Sequence, residues 1–140
     1  MKQSRQNIHA TCVHINGKGV LLLGKSGSGK SDLALRLIMD KGAVLVADDR
    51  AEVWGENNRL FAAAPQVLQS LLEVRGIGIC RFEAMAQTEV NLAVQLVENR
   101  LEIERLPQAE TIAIAGICLP FIKLFPFEAS APDKVILACK

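Results

Sequence analysis

An eight-residue run, Gly24-Lys25-Ser26-Gly27-Ser28-Gly29-Lys30-Ser31, constrains this chain more than any other feature. It satisfies the spacing G-x-x-x-x-G-K-[ST] at every fixed position, and each residue type has a physical reason. Holding a polyphosphate requires several backbone N–H groups turned into one small concavity, and a glycine-rich turn lets the main chain close that tightly. The apolar run Val20-Leu21-Leu22-Leu23 precedes it, as expected of a strand buried on both faces. After it, Leu33/Leu37, Ala34/Ile38 and Leu35/Met39 recur at i, i+4, with Asp32, Arg36 and Asp40 at the same spacing opposite. That pattern predicts a helix from Ser31 to about Lys41, capped by Gly42. The positive N-terminal end of the helix adds to the cradle. Lys30 is expected to neutralise the β- and γ-phosphates, and the Ser31 hydroxyl to hold Mg²⁺ between them.

The remainder reads as one α/β domain on a mixed sheet. Thr11–Val13 and Val20–Leu23 flank the hairpin signal Asn16-Gly17-Lys18-Gly19. Val44–Ala47 is a second buried strand, and Ala51–Trp54 and Leu60–Ala62 are short strands around Glu56-Asn57-Asn58. Pro65–Leu72 fits either a helix or a loop. Leu72–Ile79 reads as one glycine-broken strand, and Asn91–Glu98 alternates apolar and polar residues like a half-exposed one. Pro107, Pro120, Pro126 and Pro132 favour edge strands and loops over long helices in the tail. Residues 1–8 are expected to be flexible, and the whole of 1–140 to form a single domain.

Composition narrows the partners. Sixteen basic and 15 acidic residues balance to +1, which offers no electrostatic reason for a nucleic acid or an anionic membrane as main partner. Aromatic residues make up 4% and tyrosine is absent, so base-stacking platforms for single strands are poorly supplied. No apolar run reaches the roughly 18 residues of a membrane span, and the polar start Met1–Asn7 does not resemble a signal peptide. The chain reads as soluble and cytoplasmic. Cys12, Cys80, Cys118 and Cys139 are scattered without a C-x-x-C pair, which suits reduced thiols.

Asp48 and Asp49 end the second buried strand, 17 and 18 residues beyond Ser31. One acid there can face the metal; a second suits a proton acceptor when the nucleophile is a hydroxyl. Glu73 and Arg75 in Glu73-Val74-Arg75-Gly76-Ile77-Gly78 point to one side if that segment is a strand. On spacing alone that pair is more often a surface ion pair, and His9, a lone histidine before the first strand, is more often structural.

Taken in order, His9, the glycine loop, Val46-Ala47-Asp48-Asp49 and Glu73-Val74-Arg75-Gly76-Ile77-Gly78-Ile79 closely resemble the catalytic domain of bacterial HPr kinase/phosphorylase, from about His9 to Val97. The resemblance implies a fold shared with phosphoenolpyruvate carboxykinase, ATP and Mg²⁺ as cofactors, and a serine of the phosphocarrier HPr as the acceptor. By it, Lys30 contacts phosphate, Ser31 and Glu73 ligate Mg²⁺, and one of the aspartate pair, Asp49 ahead of Asp48, takes the serine proton. His9 then lies near the phosphates, and Arg75 shapes the surface used in transfer. The chain is expected to correspond to short forms without the N-terminal domain, and a homo-oligomer is implied by the hexamers of longer members.

The longer members also carry a catalytic arginine in a Pro-Gly-Arg segment. Leu119–Lys134 here contains none, leaving Lys123 or Lys134 as stand-ins. Kinase activity is therefore better supported than the reverse, phosphorylase direction. The alternatives are a nucleotide-responsive module that binds HPr with little turnover, and a small-molecule kinase. No N-K-x-D motif supports a guanine-specific site.

Overall fold

The computed structural model describes residues 4–66 and 69–140. Eleven strands and two helices are assigned among them, in a mixed α/β arrangement. The strands are β1 (Gln6–Ile8), β2 (Ala10–Ile15), β3 (Lys18–Leu23), β4 (Val44–Ala47), β5 (Ala51–Glu56), β6 (Arg59–Ala63), β7 (Leu71–Val74), β8 (Gly78–Arg81), β9 (Gln87–Leu96), β10 (Glu110–Ile114) and β11 (Ile117–Leu124). The helices are α1 (Lys30–Lys41) and α2 (Ala131–Ala138).

Nine strands form one curled sheet in the order β1-β5-β6-β9-β3-β2-β4, with β11 and β10 branching from β9. β9 runs parallel to β3 and to β11, and antiparallel to β6. It is thus central, and the reading of Asn91–Glu98 as half-exposed is corrected. Its polar residues are spent on backbone: Asn91 Oδ1 accepts from Gly19 N (3.1 Å), and Gln95 Nε2 donates to the Leu23 carbonyl (3.4 Å).

β2 is antiparallel to both β3 and β4, so those two run the same way with β2 between them. Their C-terminal ends therefore open on one edge, which is where ligands bind in many α/β sheets. The curl leaves apolar side chains packed on both faces. Val13, Ile15, Val20 and Leu22 meet α1 through Leu33 and Leu37, while Cys12, Leu21, Val53 and Leu60 fill the inside of the curl.

The helix predicted from Ser31 begins one residue earlier and ends at Lys41, where Gly42 takes a left-handed conformation at φ 75°. Leu33, Ala34 and Leu37 are buried, whereas Met39 is exposed. Asp32 pairs with Arg36 as the spacing predicts, at 3.0 Å.

Other expectations change. Leu72–Ile79 is not one strand: Leu71–Val74 and Gly78–Arg81 pair antiparallel as a separate hairpin, with Arg75-Gly76-Ile77 in the turn. Glu73 and Arg75 therefore do not share a strand face. In Pro65–Leu72, residues 67 and 68 lie outside the described residues, and the segment ends inside β7 rather than in a helix.

Of residues 1–8, expected to be flexible, Gln6–Ile8 pair with β5, and the Arg5 guanidinium lies 3.9 Å over the Trp54 ring; residues 1–3 lie outside the description. Pro120 sits within β11, and Pro132 in the first turn of α2, where its missing N–H is tolerated. All four cysteines are free thiols. Among the described residues no helix is long and apolar enough to cross a membrane.

Candidate active site

The β2–β4 register places Cys12 opposite Ala47, bringing Thr11 level with Asp48 at the strand ends. Ala10 lies opposite Leu23, so His9 stands at the height of Gly24, where the glycine loop begins. Loop, histidine and aspartates thus share one edge because β2 threads between the two parallel strands.

The loop closes on itself. Ser28 N donates to the Lys25 carbonyl (3.0 Å), and Lys30 Nζ donates to the carbonyls of Gly24 (2.7 Å) and Lys25 (3.0 Å). Lys30 is only 4% exposed, and burial pushes its pKa below the ordinary lysine range, with Asp49 and Asp48 partly opposing the shift. Lys25 instead turns out to Glu98 (2.6 Å), a hydrogen bond that raises its pKa. Gly29, with φ 99°, caps α1 without any side-chain bond to the first helical amides. Ser28 Oγ is buried and unpartnered among the described residues. Open amides, an orphaned hydroxyl and a buried ammonium make a donor set that fits an anionic polyphosphate.

Across from the loop, the two aspartates differ sharply. Asp48 is tied down by three donors: Oδ1 accepts from Ser31 Oγ (2.6 Å) and Thr11 Oγ1 (3.1 Å), and Oδ2 accepts from Glu73 N (3.2 Å). Asp49 is 54% exposed on its side chain, and its Oδ1 lies 2.6 Å from His9 Nε2 and 3.8 Å from Lys30 Nζ. Its Oδ2 carries no hydrogen bond among the described residues. The backbone at Asp49 has φ 65°, and Arg50 N donates back to the Asp48 carbonyl at 2.7 Å. That is a γ-turn of the rarer, strained hand.

A cleft of about 460 Å³ joins these groups. Ser26, Gly27, Gly29, Lys30, Ser31, Asp48 and Asp49 line its polar side, and Glu73 and Arg75 enter from the hairpin. Ser31 Oγ, the Asp48 carboxylate and the nearby Glu73 are hard oxygen donors, a set that suits Mg²⁺. Gly24 and Ser28 back the loop from behind: a Cβ on Gly24 would stand 2.4 Å from Ser28 Oγ.

Three participants escaped the sequence reading. Thr11, fully buried, also accepts from Asp49 N (3.0 Å) and so ties both aspartates together; it belongs to no motif that would single it out. Phe127 lines the cleft, and Arg36 holds the segment that carries it. Neither proposed stand-in for an arginine lines the cleft among the described residues. Lys134 pairs with Glu128, and Lys123 is exposed on β11.

Known proteins resemble this chain along most of its length. The HPr kinase/phosphorylase of Lactobacillus acidophilus is 39% identical over 144 residues, covering 95% of this chain and 44% of that protein. The HPr kinase/phosphorylase of Mycoplasma pneumoniae is 41% identical over 101 residues, covering 70% of this chain and 32% of its own length. The chain therefore spans less than half of these curated relatives. The solved structure of the Hpr(Ser) kinase/phosphatase from Coxiella burnetii superposes with a TM-score of 0.83 at 31% identity, over 95% of this chain and 93% of that one. Residues 2–136, which take in the loop, both aspartates and the β7–β8 hairpin, match the HPr Serine kinase C-terminal domain, and the chain belongs to that family.

Proposed function

We propose that this chain transfers the terminal phosphoryl group of ATP to a serine hydroxyl of HPr, on a P-loop domain of the phosphoenolpyruvate carboxykinase-like kind. The observation that carries the reading is the pairing of an Asp48 held by three donors with an open Asp49, the latter 3.8 Å from the buried Lys30 ammonium. An acid facing a phosphate cradle with one free oxygen is placed to take a proton from an incoming hydroxyl.

Each residue then has a task. The Gly24–Ser31 amides and Lys30 hold the triphosphate and carry the charge of the transferring group. His9 orients Asp49 through Oδ1, leaving Oδ2 for the serine. As Asp49 accepts the proton, the serine oxygen's electron pair forms the new P–O bond, and the bond to the β-phosphate oxygen breaks, leaving ADP. In reverse, the protonated Asp49 returns its proton to the departing serine oxygen. Ser31, Asp48 and Glu73 would hold Mg²⁺, which would supply positive charge to the phosphates. Arg75, on the hairpin turn, borders the acceptor's approach.

A single-turnover experiment with labelled ATP, Mg²⁺ and HPr tests this. Label on a serine of HPr is expected. A tight complex that leaves HPr unlabelled would favour the nucleotide-responsive binding module.

A further inference from the structure

Aromatic residues are scarce in this chain, yet one stands open at the cleft. Phe127 is 59% exposed and lines the cleft, with its ring against the loop: a Cβ on Gly29 would stand 3.0 Å from Phe127 Cζ. The ring is held in place. Phe125 meets it edge-on, with centroids 5.8 Å apart and planes at 80°. Arg36 of α1 donates to the carbonyls on either side of it, Pro126 at 2.5 Å and Glu128 at 3.4 Å. Glu128 is further tied to Arg100 and Lys134. A wet apolar ring fixed this firmly stabilises the fold little, because its face is not removed from water.

We propose that Phe127 is the stacking face for the nucleobase of the bound nucleotide. Its position relative to the loop supports this. At the start of α1, Ser31 faces Asp48 and Gly29 faces Phe127, and helix geometry sets those two positions about 200° apart around the axis. A triphosphate lying across the helix end, with its terminal phosphate on the Asp49 side, delivers its base to the Phe127 side. Asp32 and Leu35 continue the cleft wall between the two. A bare phenyl face offers π-contact without a hydrogen-bonding reader, so it accepts bases with little discrimination.

The proposal rests on the reading of Gly24–Ser31 as a nucleotide site, and its test separates the two. Calorimetric titrations of wild type, Phe127→Ala and Phe127→Tyr are run with ATP and, separately, with inorganic tripolyphosphate. Phe127→Ala is expected to weaken ATP by about fivefold to a hundredfold while tripolyphosphate binds as in wild type, and Phe127→Tyr to keep ATP affinity. Unchanged ATP affinity in Phe127→Ala, or equal loss for both ligands, would overturn the stacking role; equal loss would mean that the ring only props Gly29. Wild type that binds neither ligand would sink the nucleotide site and the stacking face with it.

Discussion

Asp49 is held in a backbone conformation that a non-glycine residue adopts at a cost of about 1–3 kcal/mol. Thr11 is what holds it there, accepting from Asp49 N while donating to Asp48. Replacing it by the near-isosteric valine strands both groups. Thr11→Val is expected to lower kcat for transfer about tenfold or more through misplacement of Asp49, with KM for ATP little changed and Thr11→Ser restoring the rate. A uniform loss of folded protein, without that split between kcat and KM, would reduce Thr11 to a structural residue.

Lys30 gives a second prediction at this scale. Burial lowers its pKa, so in the free protein it loses its proton before an ordinary lysine does. Bound phosphate favours the charged form. Affinity for ATP should therefore fall as pH rises through that depressed pKa, below the usual lysine range, and Lys30→Arg should delay the fall because guanidinium stays protonated. Titrations across the alkaline range check this; a flat profile up to the usual lysine pKa contradicts it.

Among the elements, the β7–β8 hairpin is the one whose form the sequence concealed. Leu72 and Val74, then Ile77 and Ile79, each keep a spacing of two, and the one-residue phase slip at Arg75-Gly76 is small enough to pass for an irregularity within a single strand. The signals for a reversal are Gly76 and Gly78, both at positive φ in the structure, with Ile77 N bonding back to the Val74 carbonyl at 3.0 Å. Ile77 and Ile79 remain exposed, and the hairpin is anchored by fully buried Leu72 and by Glu73 N on Asp48. Leu72→Ala is expected to cost about 2–5 kcal/mol and to raise hydrogen exchange over residues 71–81 more than in β3 or β9. Even loss of protection across the sheet would show that the hairpin is not a separable unit.

β9 was misread for a related reason. Asn91 and Gln95 look solvent-facing in sequence, but they spend their polar groups on the backbone of β3. By contrast, the strand–loop–helix unit from Val20 to Gly42 was legible almost to the residue, because its apolar spacing and its glycines act locally.

At the scale of the whole molecule, the order β3-β2-β4 brings His9, Lys30, Ser31, Asp48 and Asp49 to one edge, and the bond from Glu73 N to Asp48 ties the separate hairpin to it. Sequence reading named those residues from short motifs and from resemblance. It could not see that Thr11 and Phe127 join them, since neither belongs to a motif and each arrives through long-range pairing. The division of labour between the aspartates is likewise a property of the assembled edge, where Asp48 meets three donors from three different segments.

The most direct test compares wild type and Asp49→Asn for ATP binding by calorimetry and for phosphoserine formation on HPr by mass spectrometry. Asparagine keeps the shape and the contact with His9 but accepts no proton. The expected result is retained ATP affinity with transfer slowed on the order of 10²-fold or more. Near-normal phosphoserine formation by Asp49→Asn would contradict the account.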